Sequence, residues 1–161
     1  MLATEARIHP TALVDPAATL APDVRVGPYA IIDGPVRLGP GCVVRARATL
    51  LGEIVAGANN DFGIGCVVGD RAQHLTHQDA PGRIAIGERN VFREHVTIHR
   101  GTSDAHGTRV GDDNFLMAHT HVAHDATVGH GCIFANGAVI GGHAIIQDRV
   151  FLSGNTGVHQ N

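Results

Sequence analysis

The 161-residue chain carries 12 arginines, no lysine, 15 acidic residues and 12 histidines, for a formal net charge of −3 with the histidines neutral. The absence of lysine excludes Schiff-base chemistry and the lysine of a phosphate-binding P-loop, and the dispersed arginines form no basic run of the kind nucleic-acid binding uses. Cys42, Cys66 and Cys132 are odd in number and form no CxxC pair, which disfavours a disulfide framework or a zinc knuckle and suits small core residues in a reducing compartment.

The first ten residues, MLATEARIHP, lack the charged and apolar regions of a secretory signal, and no apolar run approaches membrane-spanning length. A cytoplasmic protein without a membrane span is expected. From Ile8 an aliphatic or large apolar residue then recurs at every sixth position, through Val14, Leu20 and Val26 as far as Leu152 and Val158, filling 22 of 26 slots. The exceptions are Ala56, His74, Ala80 and Asp104. A helix repeats at 3.6 residues and a flat amphipathic strand at 2, so a period of six fits neither alone; it is the signature of a parallel β-helix. Three hexads make one triangular coil, so residues 18 apart should stack roughly one strand spacing from each other, and the chain holds about eight coils. With no Trp, one Tyr and five Phe, the narrow core falls to Val, Ile, Leu and Ala, while 21 Gly and 7 Pro suit the corners.

A single domain over residues 1–161 is expected, all-β, with two loops projecting from the coil wall. The first, residues 70–83 (DRAQHLTHQDAPGR), is polar and has no strand pattern; the second, residues 101–109 (GTSDAHGTR), is rich in Gly, Ser and Asp. Loops on a rigid scaffold are where function concentrates. Residues 1–7 are polar enough to cap the first coil. The chain stops just after the inward slot of Val158, which reads as a shortened chain or as an end covered by a partner.

The histidines cluster in the second half, at His95, His99, His106, His119, His121, His124, His130, His143 and His159. Imidazole is the natural general base near neutral pH. The densest stretch is Ala118-His119-Thr120-His121-Val122-Ala123-His124-Asp125, in which a carboxylate beside His124 could fix its tautomer if the two meet at a coil corner. Stacking by 18 puts Gly142 above His124, His143 above Asp125 and Gln160 above Gly142. A glycine there lets a backbone N–H approach a reacting carbonyl as an oxyanion donor. Taken singly, a histidine on the wall is a solvated residue and Gly142 a corner residue. The ladder and the long loop together mark a site.

Several segments resemble the UDP-N-acetylglucosamine acyltransferases of lipid A synthesis, within the left-handed β-helix acyltransferases. They are Val96-Thr97-Ile98-His99-Arg100-Gly101-Thr102, Val110-Gly111-Asp112-Asp113-Asn114-Phe115-Leu116-Met117, His121-Val122-Ala123-His124-Asp125, Gly142-His143 and Val158-His159-Gln160. The resemblance implies a left-handed coil, a homotrimer with sites between subunits, acyl carrier protein as donor, and no metal or bound redox cofactor. It implies His124 as the general base acting on a sugar 3-hydroxyl, Asp125 as the group that orients it, and the Gly142 N–H as the oxyanion donor. His99, His121, His143, His159 and Gln160 match positions lining the substrate cleft, and Gln73 matches a loop glutamine that holds the aminosugar. Where the family loop reads Gln-Asp-Leu-Lys, this chain reads Gln73-His74-Leu75-Thr76.

Two other readings compete. His119 and His124 are spaced like two of the three zinc ligands of hexapeptide-type carbonic anhydrases, although the third position, near Arg83, has no histidine and His77 lies six residues away. A non-catalytic trimeric scaffold that binds sugar nucleotides is the other. Within the transferases, coenzyme A is an alternative donor, because the scaffold is shared.

Overall fold

The computed structural model describes residues 7–77, 81–103 and 107–160. Three expectations fall outside that set: the slots of Ala80 and Asp104, His106, and, except for Arg7, the cap expected from residues 1–7. Within it the chain makes 23 strands of two to four residues. They form three all-parallel sheets of eight, eight and seven strands, each sheet taking every third strand in turn. Arg7–Ile8, Leu13–Val14 and Thr19–Leu20 make the first coil, and Arg25–Val26 lies back on Arg7–Ile8 to begin the second.

Stacking by 18 residues holds along most of the solenoid, as in Val26 on Ile8 and Ile140 on Val122. It lengthens at the two loops. Phe92 stacks on Phe62 across 30 residues, and Leu116 on Phe92 across 24. The excess over 18 is a whole number of hexads each time, which is why the apolar phase survives both insertions. The loop bounds differ slightly from the sequence reading. Strand Val67–Asp70 already contains Asp70, and strand Thr108–Val110 contains Thr108 and Arg109. The strand leaves the coil through an irregular step between Val68 and Asp70. Gly69 there has φ +96, and a Cβ on it would run into the Leu51 carbonyl oxygen.

The apolar slot residues described between Val14 and Val158 point inward and form one continuous column, with Phe62, Phe92 and Phe134 its largest fully buried members. Phe62 and Phe92 stack with ring centroids 5.3 Å apart. All three cysteines are buried and unpaired, as expected, and burial pushes the Cys66 thiol up to about 12.

The apolar pattern does not reveal a second internal column, made of asparagines. Asn60, Asn90 and Asn114 are all buried on successive coils. The Asn60 Oδ1 accepts the backbone N–H and the amide of Asn90 at 3.0 and 2.9 Å, and the Asn90 Oδ1 accepts the same two groups of Asn114 at 3.0 Å. The Asn114 Oδ1 accepts the Cys132 N–H at 2.7 Å, and the thiols of Cys42 and Cys132 donate to the carbonyls of Gly57 and Gln147. The corner N–H groups of Asn90, Asn114 and Cys132 are thereby satisfied inside the coil.

At the corners a recurring position takes a left-handed backbone. Tyr29, Arg47, Asn59, Arg89, His95, Asp113, His119, Asp125, His143, Arg149 and Asn155 all have φ between 54 and 61. Such a conformation disfavours an ordinary side chain, least so for Asn, Asp and His. It turns each of these side chains away from the strand and sets Asp125 and His143 one above the other.

Candidate active site

His124 and Asp125 occupy the corner that follows strand His121–Val122. The corner brings together side chains that would diverge along a strand: His124 Nδ1 lies 2.9 Å from Asp125 Oδ2, and both side chains are buried, 8% and 3% exposed. Burial by itself would raise the Asp125 carboxyl, but hydrogen bonds from His124 and Thr102 and the nearby His143 outweigh it and hold the group below the usual carboxylate range. An ionised carboxylate only accepts, so His124 Nδ1–H is the donor, and in the neutral ring Nε2 is the nitrogen that carries the lone pair.

Asp125 is itself held from the second loop and from the coil below. Its carboxylate accepts the Thr102 N–H at 3.0 and 3.1 Å and the Thr102 hydroxyl at 2.7 Å. Its own N–H donates to the Thr108 hydroxyl at 2.9 Å, and that hydroxyl donates to the His99 carbonyl at 2.7 Å. Thr102 and Thr108 were not singled out from the sequence. Stacking by 18 does place Thr108 under Ala126, beside Asp125, so a signal existed for it; Thr102 lies inside an insertion, where that spacing fails.

Gly142 sits one coil above His124. A Cβ on it would come within 2.8 Å of both Cε1 and Nε2 of the His124 ring. The reason for glycine here is therefore space, not turn geometry: the left-handed residue of that corner is His143, with φ 61. Among the described residues the Gly142 N–H has no hydrogen-bond acceptor. The His143 N–H donates to the His124 carbonyl at 3.1 Å, its ring stands edge-on to His124 with centroids 5.2 Å apart, and its Nε2 is 3.8 Å from Asp125 Oδ2.

The first loop closes the other flank. The His74 ring meets His124 edge-on at 5.4 Å, and His77 follows at 4.9 Å from His74. Thr76 folds back on His74, with its N–H and hydroxyl both 3.3 Å from His74 Nδ1. Gln73 is exposed and lines an open recess of about 370 Å³ with Asp70, Arg71, Ala72 and His99. His99 is buried and stands edge-on to His121 at 4.8 Å, and His121 shares a 2.7 Å hydrogen bond with Thr97. Burial, aided by His99 and His124, holds His121 down at about 4, and burial pulls His99 below the ordinary histidine range against the opposing charge of Asp70. The His99 Nδ1 is buried without a partner among the described residues. His159 and Gln160 are exposed one coil further on, near Gly141.

These contacts join His124, Asp125, Gly142 and His143 directly, and His99 with His121 in a second pair. Gln73 faces the recess beside His99. The His119–His124 pair of the zinc reading is not brought together: His119 belongs to the preceding corner and stacks on His95, centroids 5.2 Å apart and rings 13° from parallel.

Similarity to known proteins follows the same lines. The bacterial transferase hexapeptide (six repeats) family matches residues 107–142. LpxA from Acinetobacter baumannii is 40% identical over 95% of this chain and 60% of its own, with a TM-score of 0.89. UDP-N-acetylglucosamine O-acyltransferase (LpxA) from Moraxella catarrhalis is 35% identical over the same shares, with a TM-score of 0.91. LpxA, a UDP-N-acetylglucosamine acyltransferase from Bacteroides fragilis, is 33% identical over 94% of this chain and 67% of its own, with a TM-score of 0.81. The chain belongs to the UDP-N-acetylglucosamine acyltransferase family. Its architecture is that family's left-handed parallel β-helix, as expected. It spans 60% of the length of the Acinetobacter and Moraxella acyltransferases. Among the described residues no helix is long and apolar enough to cross a membrane.

Proposed function

We propose that this chain carries the catalytic centre of an acyltransferase that moves a (3-hydroxy)acyl group from acyl carrier protein to the 3-hydroxyl of a UDP-N-acetylglucosamine-type sugar nucleotide, in lipid A synthesis. The observation that carries the proposal is the buried His124–Asp125 pair at 2.9 Å with Gly142 packed on the ring. His124 Nε2 takes the proton of the sugar hydroxyl as its oxygen attacks the thioester carbonyl. The oxyanion of the tetrahedral intermediate accepts the Gly142 N–H. Collapse breaks the carbon–sulfur bond, and the leaving thiolate takes the proton back from the His124 imidazolium. Asp125 orients the ring and stabilises its charged form. No cofactor takes part.

Gln73, His99, His121, His143, His159 and Gln160 line the acceptor cleft in this reading. His121, neutral because burial holds it near 4, binds by hydrogen bonds and not by charge. The reading includes a homotrimer acting in the cytoplasm.

The test is acyl transfer to UDP-N-acetylglucosamine from acyl carrier protein and from coenzyme A thioesters, with wild type and His124→Ala. Transfer from the carrier protein, falling 10²–10⁴-fold in the variant, is expected. Wild-type turnover in His124→Ala removes His124 from the chemistry. Binding of the sugar nucleotide with no transfer from either donor favours the non-catalytic scaffold.

A further inference from the structure

We propose that Thr102, on the second loop, is a positioning residue for acyl transfer: its two donors hold the Asp125 carboxylate behind His124 and keep the ring in the form that accepts a proton. The inference rests on the reading of His124 as general base. The Thr102 N–H reaches both carboxylate oxygens, at 3.0 and 3.1 Å. Its hydroxyl donates at 2.7 Å to Oδ2, the oxygen that also receives His124 Nδ1 at 2.9 Å. Thr108 acts on the backbone instead, since its hydroxyl gives its proton to the His99 carbonyl and accepts the Asp125 N–H. Among the described residues, the hydrogen bonds to this carboxylate come from His124 and Thr102.

The feet of the loop are packed so that these donors can come in. A Cβ on Gly101 would lie 2.7 Å from Asp125 Oδ1 and 2.7 Å from the Cα of Gly107, at the other foot. Gly82, at the end of the first loop, packs in turn on the Gly101 carbonyl, and a Cβ there would collide with it. Bare backbone at these three places lets the loop lie against the carboxylate. A donor stabilises a carboxylate more when its charge is bare than when an imidazolium already neutralises it. Thr102 therefore favours the neutral His124 ring, while Asp125 itself favours the charged one. The other titratable groups around the ring are imidazoles, and each opposes a charge on His124 when it carries one: His74 from the first loop, His143 from the coil above, and His99 and His121.

The experiment follows the His124 ring by NMR titration of the whole chain, its signal assigned by its loss in His124→Ala. Beside it runs the pH profile of kcat/KM for transfer to UDP-N-acetylglucosamine. Both are measured on wild type, Thr102→Val, Thr102→Ser and, as a distant control in the first coil, Thr19→Val. In Thr102→Val the His124 midpoint should rise by roughly half a pH unit or more, the share of one charge-assisted hydrogen bond that separates the two ring forms. The acid limb of the profile should rise with it, and kcat should fall about tenfold with KM little changed. Thr102→Ser, which keeps both donors, should restore the midpoint, the limb and kcat, and Thr19→Val should match wild type. In an Asp125→Asn background, Thr102→Val should move His124 no further. An unmoved midpoint in Thr102→Val, or one that Thr102→Ser fails to restore, overturns the inference whatever turnover does. A midpoint that moves while the acid limb stays fixed instead overturns His124 as the base, and with it any part for Thr102 in the transfer.

Discussion

At the scale of single residues, His124 is an imidazole held by its surroundings, as the proposed general base must be. Asp125 fixes one ring nitrogen, Thr102 and Thr108 fix Asp125, and Gly142 leaves the other nitrogen room. Gly142→Ala should therefore lower turnover at least 100-fold, within the range for losing a general base, because the methyl occupies the place of the ring edge. The corner backbone is not left-handed at Gly142, so any fall in melting temperature should come from the crowded His124 ring alone; calorimetry beside single-turnover kinetics separates the two effects. In the loop, the His74→Asp and Thr76→Lys pair should tighten binding of UDP-N-acetylglucosamine, since each change introduces a charged group able to make a charge-assisted hydrogen bond to the sugar. Unchanged affinity by titration calorimetry would mean that this loop does not read the sugar.

At the scale of elements, the strands are too short to be stable alone and depend on stacking. The asparagine column is where that stacking is most exacting, since each Oδ1 holds two donors of the next coil. Asn90→Ala leaves the Asn114 N–H and amide without their acceptor in a dry interior. By the usual penalty for buried unpaired groups it should cost about 2–4 kcal/mol. Chemical denaturation should show this as a lower midpoint with the same slope. Asn90→Asp, which keeps the acceptor and loses the donor to Asn60, should fall further if the buried charge dominates.

Across the whole molecule, the two loops and three consecutive coils converge on one corner, and that convergence carries a pH dependence. An unfolded histidine takes up its proton near 6.5, whereas His121 in the fold does so only at about 4. Between those values the unfolded chain binds the extra proton, so the contribution is whole above pH 6.5 and is lost as pH falls toward 4. His99, shifted the same way by burial, adds to this loss. Asp125, whose value in the fold is depressed, contributes in full above the ordinary carboxylate range and loses that contribution as pH falls from there through its depressed value. The melting temperature should decline from pH 6.5 to pH 4, and less steeply in His121→Asn; parallel curves for the two proteins would exclude His121 as a source.

The hexad phase was readable end to end because an inward slot every sixth residue is a demand of the coil itself, and insertions of whole hexads leave that demand intact. The same bookkeeping placed Gly142 over His124 and His143 over Asp125, since 18 residues return the chain to the same corner. It could not place Thr102 or His74, because loop residues are positioned by the contacts they make and not by the repeat. Nor could it find the asparagine column, whose members look like ordinary corner residues until their buried amides are seen to bond one another. Periodicity therefore determined the scaffold and the alignment of the ladder. The pairing of His124 with Asp125, the threonines that brace it and the imidazoles around it were decided only by corner geometry in three dimensions, where a left-handed backbone turns neighbouring side chains toward a common point.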